Sequence, residues 1–157
     1  MIISHIVAIA KNYVIGKDND IPWRVPGEQL RFKELTMGKT VIMGRKTYES
    51  LGNKLKGRNI IVVSNTMDDN SDLYKVVKSI HEALEMVDGE EVFIAGGGQL
   101  YKDTIDIADR IYITILDEEI DGTIFYPKLD SNKYHTTYKK HVPEGIIPYT
   151  YYTYERK

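Results

Sequence analysis

The chain has 157 residues, a formal charge of −2, 42% hydrophobic and 28% charged residues, which suffices for one soluble domain with a substantial core. That near-neutral balance leaves no electrostatic footprint for nucleic acid or an anionic membrane. With no cysteine, disulfides, thiolate nucleophiles and cysteine-ligated metals are excluded.

The first segment, "IISHIVAIA", is apolar and β-branched and predicts a strand over 2–10. It has no basic leader or small-residue cleavage site, so a buried strand is expected rather than a signal peptide. No apolar run approaches a membrane span, and the expected compartment is the cytoplasm. A polar loop over 12–20 follows, of the length that often closes over ligands.

"IPWRVPGEQLRFKEL" then opens a helix over 26–36, with Pro26 suited to the first helical position. At about 100° per residue, Glu28, Phe32 and Leu35 share one side, and Leu30, Lys33 and Glu34 share the other. Glu28 therefore sits on the face that should be buried, near Trp23, Val25, Phe32 and Leu35. Elsewhere a first-turn glutamate simply favours the helix dipole. Among apolar neighbours it is costly without a partner, and its pKa should rise. Phe32 offers a ring face, and the carboxylate suits a heterocycle edge with two parallel donors, as in a 2-amino-4-oxo pyrimidine. Trp23 is either core packing or the wall of a cleft.

Next come a strand over 40–43, Gly44, and a helix over 45–51 opened by Arg45, Lys46 and Thr47. A helix start beside two cations suits a phosphate monoester; ordinary turn chemistry is the equal alternative. A strand over 59–64, a helix over 80–87 and a strand over 92–95 follow. Gly96, Gly97 and Gly98 come next, before a helix over 99–105, and let a pyrophosphate approach the backbone. The run is not the dinucleotide fingerprint, because Tyr101 occupies the third glycine position. "MGKT" at 37–40 is no P-loop, since Lys33 stands where the leading glycine is required. Gly44 and Gly96 each follow a strand's carboxyl end, where open α/β sheets bind ligands, so the two loops could hold a dinucleotide.

Beyond a strand over 111–116 no further helix is predicted. Strands over 134–141 and 149–154 flank the turn-forming "VPEGIIP", an antiparallel hairpin that makes the sheet mixed. The tyrosines of "YTYYTYER" read as sheet packing rather than base stacking. His5, His81, His135 and His141 lack ligand spacing, and no metal is expected.

With these residues in view, the chain resembles dihydrofolate reductases over essentially its whole length, through "VAIAKNYVIGKDNDIPW", "PGEQLRFKELTMGKTVIMGRKTYESLG", "GRNIIVVSN", "FIAGGGQLY" and "IYITILDEEIDGTIFYP". The resemblance implies one domain over 1–157 with an eight-stranded, mostly parallel mixed sheet flanked by about four helices and ending in the antiparallel hairpin. It implies NADPH-dependent reduction of 7,8-dihydrofolate and binding of antifolate inhibitors, and the size of the chain suggests a monomer. In this family's pattern Glu28 grips the pterin, Thr114 hydrogen-bonds behind it, and Trp23 completes the catalytic group. Ile6 and Phe32 pack on the pterin and Leu55 on the benzoyl ring, while Arg58 pairs with the glutamate α-carboxylate. Ala8, Ile15 and Gly16 line the nicotinamide. Gly44, Arg45, Lys46, Thr47, Ser64, Asn65 and Lys78 serve the adenosine and its 2′-phosphate. Gly96, Gly97 and Gly98 meet the pyrophosphate, with Gln99, Leu100, Tyr101 and Thr123 also on the cofactor side, and the Gly96–Gly97 bond is expected to be cis.

The chain departs from the commonest bacterial pattern at several of these places. Glu28 replaces an aspartate, Gln29 a leucine and Arg31 an aromatic, Ala95 stands for a larger aliphatic, and Thr123 takes an acidic residue's place. The Gly27–Glu28–Gln29 triplet resembles the transferable, trimethoprim-insensitive members. Two other readings stay open here. One is a related reductase such as that of riboflavin synthesis, for which Arg58 would be idle; the other is a non-catalytic ligand-binding protein.

Overall fold

The computed structural model describes residues 1–16, 26–51, 55–68, 71–143, 145 and 147–157, with backbone only for 16 and 26–29. Its strands are β1 (Ile2–Ile9), β2 (Val14–Gly16), β3 (Thr40–Gly44), β4 (Asn59–Val63), β5 (Lys75–Val77), β6 (Glu91–Ile94), β7 (Arg110–Leu116), β8 (Ile124–Phe125), β9 (Tyr134–Val142) and β10 (Tyr149–Arg156). The helices are α1 (Pro26–Thr36), α2 (Arg45–Leu51), α3 (Ile80–Met86) and α4 (Gly98–Thr104), the last running into a 3-10 turn, Ile105–Ile107.

Eight strands form one sheet in the order β5-β4-β3-β6-β1-β7-β10-β9. Every pairing from β5 to β7 is parallel; β10 pairs antiparallel with both β7 and β9. The expected mixed sheet and C-terminal hairpin are therefore present. Seven of its strands match runs that the sequence predicts to within two residues. The eighth, β5, is only "KVV" between turn-forming segments, too short to carry a period of its own. It exists because β4 supplies the hydrogen-bonding edge, pairing Ile61, Val62 and Val63 with Lys75, Val76 and Val77.

Alternation along the strands builds two layers. Val41, Met43, Ile60, Val62, Phe93 and Ile6 face one side, where Phe32 and Leu35 of α1 and Tyr48 and Leu51 of α2 pack. Ile42, Ile61, Val92, Ile94, Val7 and Ile113 face the other, against Ala83 of α3 and Leu100 and Tyr101 of α4. Burial on both faces is why the parallel strands read as continuous apolar runs. β9 is the opposite case: only Tyr134 is buried, and seven exposed residues follow. Its Lys139 and Lys140 sit on an open sheet edge, where charge discourages pairing with another chain.

A second, two-stranded ribbon joins β2 to β8, with Val14 opposite Phe125 and Gly16 opposite Ile124. Asn12 clasps the same region through Ile120, donating to its carbonyl (3.0 Å) and accepting from its amide (3.2 Å). The first part of the predicted 12–20 loop is thus tied down; its remainder, with Trp23 and Val25, lies outside the described residues.

Candidate functional site

Register places one set of candidates on a single face. Ile6 stands opposite Tyr112, and Tyr112 opposite Thr153; one step on, Ala8 is opposite Thr114, and Thr114 opposite Tyr151. Thr114 is 2% exposed, and Ile6, 5% exposed, packs with Phe32 and Leu35 of α1. Phe32, Leu35, Ile6 and Leu55 belong to one apolar cluster. Leu30 points away, 57% exposed, as the helical periodicity requires. Glu28 lies on the first turn of α1, but its side chain is outside the described residues.

Arg58 closes this face. Its guanidinium carbon lies 5.7 Å from the centre of the Phe32 ring, and its nitrogens donate to the Thr36 hydroxyl (3.4 Å) and the Lys56 carbonyl (3.0 Å). Partial burial lowers its pKa from the ordinary arginine value, yet an arginine stays cationic at neutral pH. Arg31 goes elsewhere: its guanidinium carbon sits 4.2 Å from the Tyr151 ring centre and 5.9 Å from that of Tyr138. The C-terminal tyrosines are packing, as expected, and Arg31 uses one of them, Tyr151, together with Tyr138 of β9 as a platform.

The two glycine loops meet. The Gly44 amide donates to the Gly96 carbonyl (2.9 Å), and the Gly96–Gly97 bond is cis. Gly96 has φ +113°, and a Cβ there would come within 3.3 Å of Tyr101 and 3.5 Å of the Thr47 hydroxyl. At Gly97 it would come within 3.6 Å of the same hydroxyl. Gly98 has another reason to be glycine, since a Cβ would lie 2.7 Å from Ile124 of the ribbon, with Ile15 also in contact. Leu100 and Tyr101, expected on the cofactor side, are buried beneath the turn; the Tyr101 hydroxyl donates to the Ile6 carbonyl (2.7 Å). Gln99 donates to Asp103 within its own helix (2.8 Å).

Sheet order lines up the remaining candidates. Arg45 follows β3, Ser64 and Asn65 follow β4, and Lys78 follows β5, so three adjacent carboxyl ends carry them. Arg45, Lys46 and Lys78 are exposed, Arg45 with Glu49 at 3.6 Å. The Ser64 oxygen accepts from the amides of Thr66 and Met67 (both 3.2 Å) and so shapes the loop bearing Asn65. Thr123 is exposed beside β8. Among the described residues no group of three or more His, Asp or Glu could hold a metal ion, and no helix is long and apolar enough to cross a membrane.

A family model described as dihydrofolate reductase matches residues 2–156. The chain belongs to the dihydrofolate reductase family. It is 44% identical over 128 residues to the type 3 dihydrofolate reductase of Salmonella typhimurium, covering 81% of this chain and 79% of that protein. It is 42% identical over 133 residues to the dihydrofolate reductase of Bacillus subtilis (strain 168), covering 84% and 79%. A solved structure of the Enterococcus faecalis dihydrofolate reductase, complexed with NADP(H) and RAB-propyl, superposes with a TM-score of 0.89 at 28% identity, covering 99% of this chain and 96% of that one. The chain is thus an enzyme of the dihydrofolate reductase family, and its likeness extends to a numbered type.

Two polar clusters of this dihydrofolate reductase escaped the sequence reading. His5, fully buried on β1, has Nδ1 2.8 Å from the Tyr126 hydroxyl and Nε2 2.7 Å from the Thr104 hydroxyl. Burial pulls its pKa down to about 3, so the ring is neutral at ordinary pH. The available signal was one histidine inside an apolar, β-branched run, a polar group that must find partners once buried. The second cluster lies on the other face of the sheet, beginning at Ser4, the neighbour of His5 on β1. Glu91 accepts from Ser4 (2.6 Å), Tyr112 (3.1 Å), Arg110 (3.3 Å) and Lys39 (3.3 Å). Nothing local in the sequence joins these residues.

Proposed function

We propose that this enzyme reduces 7,8-dihydrofolate to tetrahydrofolate with NADPH. One observation carries the reading: Ile6 belongs to both halves of the site. Its side chain packs with Phe32 and Leu55 under α1, and its carbonyl is held by Tyr101, whose ring lies against the glycine turn. A flat substrate over α1's face and a dinucleotide over the turn would therefore meet above β1. The residues fit the cofactor: Gly96 and Gly97 leave bare backbone at the turn, where a Cβ on Gly96 would crowd Tyr101, and Arg45, Lys46 and Lys78 supply cations for a 2′-phosphate.

Bound NADPH supplies the hydride, which is added to the pterin imine carbon while the adjacent nitrogen gains a proton. Ala8, Ile15 and Gly16 line the nicotinamide, and Gly44, Thr47, Ser64 and Asn65 hold the adenosine end. Glu28 takes the 2-amino group and neighbouring ring nitrogen in paired hydrogen bonds, with Thr114 behind it. That pairing fixes the ring and raises the basicity of the nitrogen to be protonated, water carrying the proton. Ile6, Phe32 and Leu55 hold the pterin and benzoyl rings, and Arg58 pairs with the glutamate tail. Side-by-side fixation of the two reactants is the largest contribution these residues make.

Loss of NADPH absorbance that depends on added dihydrofolate is the expected result. Absence of that dependence would overturn the reading, and preference for a ribityl-bearing pyrimidine would favour the riboflavin-type reductase. We also infer trimethoprim tolerance from the Gly27–Glu28–Gln29 triplet. Inhibition side by side with the Bacillus subtilis relative tests it, and equal sensitivity would end it. The enzyme acts as a monomer, because one chain supplies every proposed contact; sedimentation as a larger species would contradict this.

A further inference from the structure

The buried cluster around His5 has a direction. The Thr104 hydroxyl donates to the Leu100 carbonyl (2.6 Å), so toward His5 it acts as acceptor. The imidazole Nε2–H therefore donates to Thr104, and Nδ1 is left to accept from the Tyr126 hydroxyl. The Tyr126 phenol, its pKa raised well above the usual tyrosine value by burial, keeps its proton, and the imidazole stays neutral. One proton arrangement satisfies every group: Tyr126 donates to His5, His5 to Thr104, and Thr104 to Leu100.

Both ends of this chain bear on the glycine turn. Thr104 and Leu100 lie on α4, the helix that Gly98 begins. Tyr126 stands two residues beyond Ile124, the side chain over Gly98, and its amide donates to the Tyr13 carbonyl next to β2 (2.9 Å). Tyr101, which contacts Gly96, has its ring centre 5.2 Å from that of His5 and 5.1 Å from that of Tyr126. From below and from the side, the turn rests on groups that His5 joins.

We propose that His5 is a positioning residue for the cofactor: the directed chain Tyr126–His5–Thr104 locks α4 and the β2–β8 ribbon together and so sets NADPH affinity. Its claim rests on the reading of the glycine turn as the dinucleotide cradle. His5 touches neither reactant. Its loss should therefore change cofactor binding while leaving the α1 face intact.

The test measures NADPH affinity by equilibrium titration, and steady-state constants for both reactants, in the wild type, His5→Leu and Tyr126→Phe. Loss of two directed hydrogen bonds in His5→Leu should raise the NADPH Kd roughly tenfold, and loss of one in Tyr126→Phe roughly threefold. The dihydrofolate KM and kcat should stay within about twofold. A purely structural role would lower Tm and leave the NADPH Kd unchanged, and that outcome overturns the proposal. A parallel rise in both KM values overturns it too. Should His5→Leu fail to fold, Tyr126→Phe decides alone, since it removes one oxygen and keeps the ring. A wild-type chain that binds no NADPH would instead overturn the reading of the site, and this inference with it.

Discussion

The two ends of the central strands solve opposite problems. At the amino ends of β1, β6 and β7, Ser4, Glu91, Arg110 and Tyr112 converge, with Lys39 and Glu155 at their margin. Here the protein supplies both signs of charge, and the hydrogen bond from Arg110 to Tyr112 is the first cause of Arg110's raised pKa. At the carboxyl ends of the same strands the chain offers glycine backbone and apolar rings. A self-satisfied charge cluster holds strands together. An end built of backbone donors and apolar surface leaves its polar partners to be supplied by what binds there.

That contrast can be broken or sharpened by substitution. Replacing Glu28 by Gln should lower turnover roughly 10²–10³-fold at neutral pH, with partial recovery in acid as solvent protonates the substrate. Its far-ultraviolet spectrum should stay that of the wild type, and equal activity at neutral pH would remove Glu28 from the mechanism. At the same end, Gly96→Ala should destabilise by about 3 kcal/mol, because a Cβ at φ +113° would also crowd Tyr101. Its NADPH KM should rise with the loss of Tm.

Opposite it, Glu91→Gln should lower stability by about 2 kcal/mol in urea unfolding, since it removes a charge from four partners. Both KM values should be unchanged; a shift in either would mean that the two ends are coupled. One effect vanishes at neutral pH and shows only as a slope in acid. The His5 ring, at about 3 in the fold against 6.5 unfolded, refuses a proton that the unfolded chain accepts. Its contribution to stability is complete above pH 6.5 and falls by about 1.4 kcal/mol per pH unit on the way down to about pH 3. Acid unfolding should therefore be less steep in His5→Leu than in the wild type.

Much of this was written locally. The continuous apolar runs of β3, β4 and β6 required a sheet covered on both faces, and Pro26 with the Phe32–Leu35 spacing marked α1 and its inner side. Gly44 and Gly96 were recognisable because each follows a strand's carboxyl end, and at Gly96 a φ of +113° favours glycine. Glu28 stood out as a charge on an apolar face, although its side chain lies outside the described residues.

Tertiary structure decided what depends on partners far apart in the chain. β5 acquires its identity from the edge of β4 and thereby brings Lys78 to the same end of the sheet as Arg45 and Ser64. Likewise His5 finds partners 99 and 121 residues away, so no window along the sequence could reveal whether that ring was charged, ligating or satisfied. Periodicity records which face a residue turns to the core; only packing determines what waits for it there.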